Sequence, residues 1–211
     1  MKHYKQIVSL GILIGVFFLT GCAKIVKIGE EESLIGGNEN VKLDVEAFWD
    51  DQAVPEIEET AVELADLLNS ADGDLASQED KGRVTNGASG SLNFAVHAEG
   101  EVIEVVNDVK AGYVTVKLED YTGETIINVQ IGPVFKKSSV RDYLSFINVN
   151  DYSDQIEFAQ LSQNITNYIY ENVIADIDSS SLVGKKIDFY GCFTYEKDDI
   201  VLITPITFAV K

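Results

Sequence analysis

Apolar and polar positions alternate two by two over most of the second half of this chain, and follow a helical period in two places. In Tyr113 to Leu118, Tyr113, Thr115 and Lys117 face one way and Val114, Val116 and Leu118 the other, the period of a half-buried strand. Asn93 to Val106 alternates in the same manner, with an interruption at Glu99-Gly100 that predicts a bulge where a long strand bends. Asn107 to Gly112 and Asp120-Tyr121-Thr122-Gly123 are turns, and Thr125 to Phe135 is a third strand with Gly132-Pro133 near its end. Lys186 to Tyr195 and Ile200 to Val210 predict two closing strands. Between these groups, Ser139 is expected to cap a short helix reaching Ile147. Asp154 opens a longer one, to about Ile174, with Ile156, Ala159, Leu161, Ile165, Tyr168 and Ile169 as packing residues.

Before the strands, Lys42 to Ser70 is helical. Asp44 is a suitable N-cap, Pro55 opens a second helix, and Ile57, Ala61, Leu64, Leu67 and Leu68 form one apolar stripe. Phe48 and Trp49 are expected to pack rather than to present a ligand platform. Ala71 to Ser91 reads as a glycine-rich loop. Its acids Asp72, Asp74, Glu79 and Asp80 do not follow the spacing of an EF-hand, so no metal is expected there.

Three meandering strands, a helical connection and a hairpin make a mainly β protein of the α+β class. The expected architecture is a five-stranded barrel of the oligonucleotide/oligosaccharide-binding (OB) type, with its helical connection between strands three and four and an N-terminal helical segment before it. A small open sandwich with an appended helix is the alternative. The organisation that follows is 1–21 signal peptide, 22–41 tether, 42–90 helical segment and glycine-rich loop, and 91–211 OB-like barrel.

The first residues have a different texture. Lys2 and Lys5 precede an unbroken apolar run of 13 residues, Ile7 to Leu19, and then Thr20-Gly21-Cys22. A basic start, an apolar centre and small residues before a cleavage point form a secretory signal. The cysteine directly after Leu-Thr-Gly makes it a lipoprotein signal, with cleavage before Cys22 and lipid on Cys22. The run is short of the roughly 20 residues a membrane span needs, so the expected anchor is lipid, with more than one acyl chain for a stable hold. Residues 23–40 read as a tether in which Lys24 to Ile28 alternates and suits an edge strand. The expected location is the outer face of the cell membrane or the periplasmic side of the envelope.

Charge narrows the partners. The chain has 35 acidic against 16 basic residues. Removing the leader with Lys2 and Lys5 leaves a net charge of about −21, which argues against nucleic acid and against adsorption to anionic headgroups. Its simplest use is solubility in a crowded exported setting. With 45% apolar residues, 10 Phe and 9 Tyr, the chain can bury a substantial core. After lipidation one cysteine remains, Cys192. No internal disulfide is possible, and Phe189-Tyr190-Gly191-Cys192-Phe193 reads as a buried strand.

Chemistry is sparse. His97 is the only histidine beyond the leader, and there is no Gly-x-Ser-x-Gly, phosphate loop or His-Glu-x-x-His. No catalytic residue, metal or cofactor is expected. The stretch that stands out runs from Gly132-Pro133 through Arg141-Asp142 to Gln155 and Asn164. Arg141 is a planar multi-donor fork suited to a carboxylate or a sugar hydroxyl, or to an internal salt bridge tying helix to barrel. The expected ligand or partner site is where Gly132, Pro133, Arg141, Asp142, Gln155 and Asn164 converge.

Taken in order, Gly21-Cys22, Lys81-Gly82-Arg83-Val84 with Gly87, Ile131-Gly132-Pro133-Val134, Arg141-Asp142, Asp154-Gln155-Ile156-Glu157-Phe158-Ala159, Asn164 and Ile203-Thr204-Pro205-Ile206 resemble the predicted periplasmic lipoprotein family catalogued as domain of unknown function 2291. Where that family's loop would carry glycine after Gly-Pro-Val, this chain has Lys136-Lys137-Ser138. The resemblance implies no catalytic residues, and a genetic context beside sugar-type ABC transporters and periplasmic sugar-binding proteins. The expected function is that of a non-enzymatic, lipid-anchored accessory of such a system. Its partners would be the membrane through Cys22, an ABC transporter or solute-binding protein, and a small polar solute such as a sugar. The alternatives are a saccharide-acting envelope enzyme using acidic residues, which needs a carboxylate pair at glycosidase separation, and a purely structural envelope protein.

Overall fold

The computed structural model describes residues 45–85, 90–197 and 199–211. Cys22, Asp44 and the Lys24 to Ile28 stretch lie outside the described residues.

The barrel is built on one long strand. β3 (Leu92–Val106) is shared lengthwise between two neighbours. Asn93 to Glu101 pair antiparallel with β6 (Lys186–Thr194), and Gly100 to Val106 pair antiparallel with β4 (Tyr113–Leu118). β4 pairs with β5 (Ile126–Gln130), β5 runs parallel to β7 (Ile200–Val210), and β7 pairs back onto β6. The ring closes, which an open sandwich would not do, and the order is that of the OB barrel with its helices between the third and fourth ring strands.

Closure demands that β3 bend, and the strand does so in two ways. Gly100 sits where the two pairings overlap. A Cβ there would lie 2.8 Å from the Lys117 carbonyl oxygen, so only glycine permits the approach. The bulge itself is not at Glu99-Gly100, as the sequence suggested, but between Val102 and Glu104. Glu99 and Gly100 stay in register with Asp188 and Ile187. The break in hydrophobic alternation at Gly100 marks a close contact rather than an inserted residue.

The interior is filled from every ring strand. Phe94 and Phe193 stack at 5.2 Å between centroids, and Phe189, Ile187, Val102, Val114, Val129 and Ile203 are buried around them. Cys192 is buried as well, on the opposite face of β6 from Phe193, and burial pushes its thiol far above its ordinary pKa. It packs as a small hydrophobe.

The N-terminal helical segment shares this core. α1 (Val45–Phe48) runs through a widened π turn, Trp49–Ala53, into α2 (Val54–Thr60). Pro55 stands in the first turn of the second helix, as expected from sequence, although the widened turn joins that helix to α1 without a break. The wider turn just before it makes room for a proline ring that would otherwise press on the carbonyl four residues back. After a two-residue strand β1 (Val62–Glu63), α3 (Leu64–Ala71) follows. Ile57, Leu64, Leu67 and Leu68 are buried and Ala61 is half-buried, so the stripe holds across the break. Trp49 lies 5.1 Å from Tyr168 and Phe48 lies 5.4 Å from Phe146, both packing contacts. In the loop beyond, Asp74 accepts from the Ala76 amide and caps the turn Leu75–Lys81. β2 (Arg83–Val84) then pairs with the start of β3.

The connection between β5 and β6 carries α4 (Ser139–Tyr143) and α5 (Gln155–Ile169), the latter ending in a π turn, Tyr170–Ile174. Asp154 is the α5 N-cap, accepting from the Ile156 and Glu157 amides at 2.8 Å each. Ser139 is not a cap. It sits inside α4, buried, and donates to the Cys192 carbonyl at 2.9 Å, pinning the helix to β6. α4 also stops at Tyr143 rather than Ile147. On α5, Leu161, Ile165 and Ile169 face the core, but Ile156 is 66% exposed and Ala159 is exposed, because the helical period puts both on the face opposite those three.

His97 fastens β1 to the barrel. Its Nδ1 lies 2.7 Å from Glu63 Oε1 and its Nε2 lies 3.3 Å from Asp188 Oδ1, while Lys211 Nζ reaches Asp188 Oδ2 at 2.8 Å. The bond from Lys211, and then that from His97, hold the Asp188 carboxyl below its ordinary value, and Lys211 is pushed up to about 12. A carboxyl with a lowered folded pKa stabilises the fold above its unfolded value, about 3.9, and loses that contribution as pH falls below it. Melting temperature should therefore drop as pH falls under about 4, and Asp188→Asn should flatten the drop. A variant whose acid limb superimposes on the parent's would refute the assignment.

Candidate functional site

Arginine is the rare cation in this chain. There are two, Arg83 and Arg141, and both line the same cleft. The cleft has a volume of about 270 Å³ and opens where β2, α4, the segment after α4 and the start of α5 meet. Thr85, Asp142, Tyr143, Ser145 and Phe158 also line it.

Each guanidinium lies over an aromatic ring. Arg141 Cζ is 3.8 Å from the centre of Phe158, and Arg83 Cζ is 4.4 Å from the centre of Tyr143. Each is also tied to a carboxylate from the protein. Arg141 donates from Nε and Nη2 to Asp142 Oδ1, at 2.8 and 2.6 Å, and from Nη1 to the Phe158 carbonyl at 3.1 Å. All three of its nitrogens have acceptors, and the pair is mostly buried, with side chains 12% and 13% exposed. Burial raises the Asp142 carboxyl above its ordinary value, and the charge and hydrogen bonds of Arg141 pull it part of the way back.

Arg83 is held at one corner. Its Nη1 donates to Glu56 Oε1 on α2 and to the Tyr143 carbonyl, at 3.1 Å for the latter. Glu56 Oε1 also accepts from the Ser145 amide at 3.0 Å. Tyr143 Oη donates to Thr60 Oγ1 at 2.9 Å, and burial raises the Tyr143 phenol. So α2 and the last residue of α4 clamp one end of the guanidinium. Among the described residues, its Nε and Nη2 have no partner, and its side chain is 31% exposed.

The six residues expected to converge are not all in one place. Arg141 and Asp142 line the cleft. Gly132, Pro133, Gln155 and Asn164 do not. Gly132 is buried against the turn between β3 and β4, where its amide donates to the Gly112 carbonyl at 3.1 Å. Pro133 is exposed beside it, Gln155 is exposed on the first turn of α5, and Asn164 is half-buried further along. The Gly132 segment is fastened by Gln130, whose Nε2 donates to Thr204 Oγ1 at 2.9 Å and to the Lys136 carbonyl at 3.1 Å.

Arg83, Glu56 and Tyr143 were not singled out as site residues from sequence. Glu56 and Tyr143 leave no trace there, since partners 27 and 60 residues from Arg83 show no local period. Arg83 did leave one, because it is one of only two arginines.

No helix among the described residues is long and apolar enough to cross a membrane, and among them no cluster of His, Cys, Asp and Glu is placed to hold a metal ion.

The family described as "Predicted periplasmic lipoprotein (DUF2291)" matches residues 12–209. The chain belongs to that family. This lipoprotein is accordingly exported and associated with the cell envelope. Its fold is similar to the crystal structure of an OB-fold protein from Thermotoga maritima, with a TM-score of 0.58 over 80% of this chain and 96% of that one, at 15% sequence identity. That likeness concerns the fold alone. No curated protein matches the lipoprotein's sequence.

Proposed function

We propose that this lipoprotein is a non-catalytic binding component of a sugar-type ABC uptake system, held at the membrane through lipid on Cys22. In this reading the Arg83–Arg141 cleft takes a small polar solute of the saccharide class and presents it to the transporter or to its solute-binding protein.

One observation carries the reading. The chain's two arginines, 58 positions apart in a strongly acidic sequence, line one cleft with paired carboxylates beside them. Paired guanidinium and carboxylate groups set donors and acceptors side by side, the complement of neighbouring hydroxyls on a sugar. A tether that keeps the domain near the transporter raises the local concentration of whatever it binds.

The test is a thermal-shift screen of the full chain in detergent against sugars, sugar acids, nucleosides and calcium. A ligand at about a hundred times its dissociation constant stabilises by roughly 2.7 kcal/mol, and a hit among saccharides is expected. A screen in which no saccharide raises the melting temperature would overturn the reading and point to a protein partner.

A further inference from the structure

We infer that the cleft selects an acidic monosaccharide, a sugar ring or open chain bearing one carboxylate, with that carboxylate seated on the free edge of Arg83. The inference rests on the saccharide reading of the cleft and adds the charge of the ligand and the residue that reads it.

On Arg83 the Glu56 and Tyr143 contacts use Nη1. The remaining edge carries two roughly parallel N–H donors, on Nε and Nη2, the side-on fork that binds a carboxylate with two hydrogen bonds. Glu56, Tyr143 and the ring beneath fix the plane of the guanidinium before any ligand arrives, so little ordering is left to be done on binding. On Arg141 the corresponding Nε–Nη2 edge is already taken by Asp142, so Arg141 cannot hold a carboxylate side-on without releasing Asp142.

The rest of the cleft suits hydroxyls. Asp142 Oδ1 receives both Arg141 bonds, and among the described residues Oδ2 has no partner and remains an acceptor. Ser145 and Thr85 add hydroxyl groups to the lining. Neither aromatic face over which a guanidinium lies is available for ring stacking, so recognition falls to polar groups. At about 270 Å³ the cleft is just below the usual range for larger ligands and suits one ring rather than a chain of them.

Global charge sharpens the choice. The chain's formal net charge is −19, so its surface at large repels anions. A neutral sugar would need no arginine edge held open. An anion bound here needs one, and of the two guanidinium groups only that of Arg83 has its Nε–Nη2 edge unpaired among the described residues.

The experiment is calorimetric titration of the full chain in detergent with matched pairs: glucose and glucuronate, galactose and galacturonate, and gluconate with its uncharged polyol. At least one acid is expected to bind about tenfold or more tighter than its neutral counterpart. Arg83→Lys keeps the positive charge beside Glu56 but lacks the planar fork, and should erase that preference. Equal affinity for acid and neutral sugar would overturn the inference while leaving the saccharide reading in place. Binding of no saccharide of either kind would overturn both. A sugar phosphate preferred over every acid would overturn the carboxylate class, and an acid preference unchanged in Arg83→Lys would overturn the assignment to Arg83. The wild-type pairs decide the acid preference even if the variant fails to fold.

Discussion

Arg141→Ala is expected to cost about 3 kcal/mol of stability at neutral pH, a fall of roughly 6–12 °C in melting temperature for a chain of this size. The loss does not come from the cation alone. It comes from what remains when the cation goes. Asp142 is largely buried and accepts two hydrogen bonds from Arg141. Truncation leaves a carboxylate with little water, the Phe158 carbonyl without its Nη1 partner, and the Phe158 ring uncovered. The pH dependence identifies this mechanism. Burial already raises the Asp142 carboxyl in the parent protein, and Arg141 supplies both of the effects that lower it. In the variant those are gone, so the folded pKa rises further. An acid whose folded pKa lies above its unfolded value of about 3.9 binds its proton more tightly when folded. The folded state therefore gains relative stability as pH falls from above the raised value towards the unfolded one. The deficit of Arg141→Ala should shrink between neutral pH and about pH 4. Adding Asp142→Asn should recover part of it at pH 7. Urea unfolding of the parent protein and the two variants at both pH values measures this. A deficit independent of pH would mean that lost packing on Phe158 is the whole effect. An unchanged melting temperature with lost ligand binding would instead make Arg141 a ligand contact.

The barrel was readable because its strands obey a simple rule. Val114, Val116 and Leu118 are buried at every second position along β4, as their alternation requires. The α5 N-cap was readable because Asp154 acts on amides only two and three residues further on. What escaped depends on distant partners. Gly100 looked like a bulge because glycine interrupts the pattern, yet its role is set by Lys117 on the neighbouring strand. Ser139 looked like a cap because capping is the commonest local use of serine, but its acceptor is the Cys192 carbonyl, 53 residues away. Arg83 lies on a two-residue strand, too short to show any period. The π turn before Pro55 is likewise invisible, since a proline reads as the start of a helix whether or not the preceding turn has widened to accept it. Half of the candidate site followed the same logic. Arg141 and Asp142 are adjacent and were found together, while the clamp on Arg83 comes from α2 and from the end of α4.

Gly132→Ala is the other substitution with a large expected effect, about 3 kcal/mol and again roughly 6–12 °C. From sequence, Gly132 was grouped with Arg141 as part of a ligand site. Its surroundings are those of a packed turn. The Lys110 carbonyl oxygen and the Gly112 amide nitrogen occupy the space a Cβ would need, and both are backbone atoms that cannot swing aside as the tip of a side chain can. Three hydrogen bonds lock the segments together: the Ile131 and Gly132 amides donate to the Gly112 carbonyl at 3.0 and 3.1 Å, and the Val134 amide donates to the Lys110 carbonyl at 3.1 Å. A methyl group forces these segments apart, so the cost combines the clash with the weakening of those bonds. The effect should also be local in hydrogen exchange, with the amides of Ile131 and Val134 losing protection before those of β3 and β6. Because Gly132 does not line the Arg83–Arg141 cleft, any ligand bound there should keep its affinity at temperatures where the variant is folded. An alanine variant that melts with the parent protein would show that the turn can open without cost. One that melts normally but loses ligand would return Gly132 to the site.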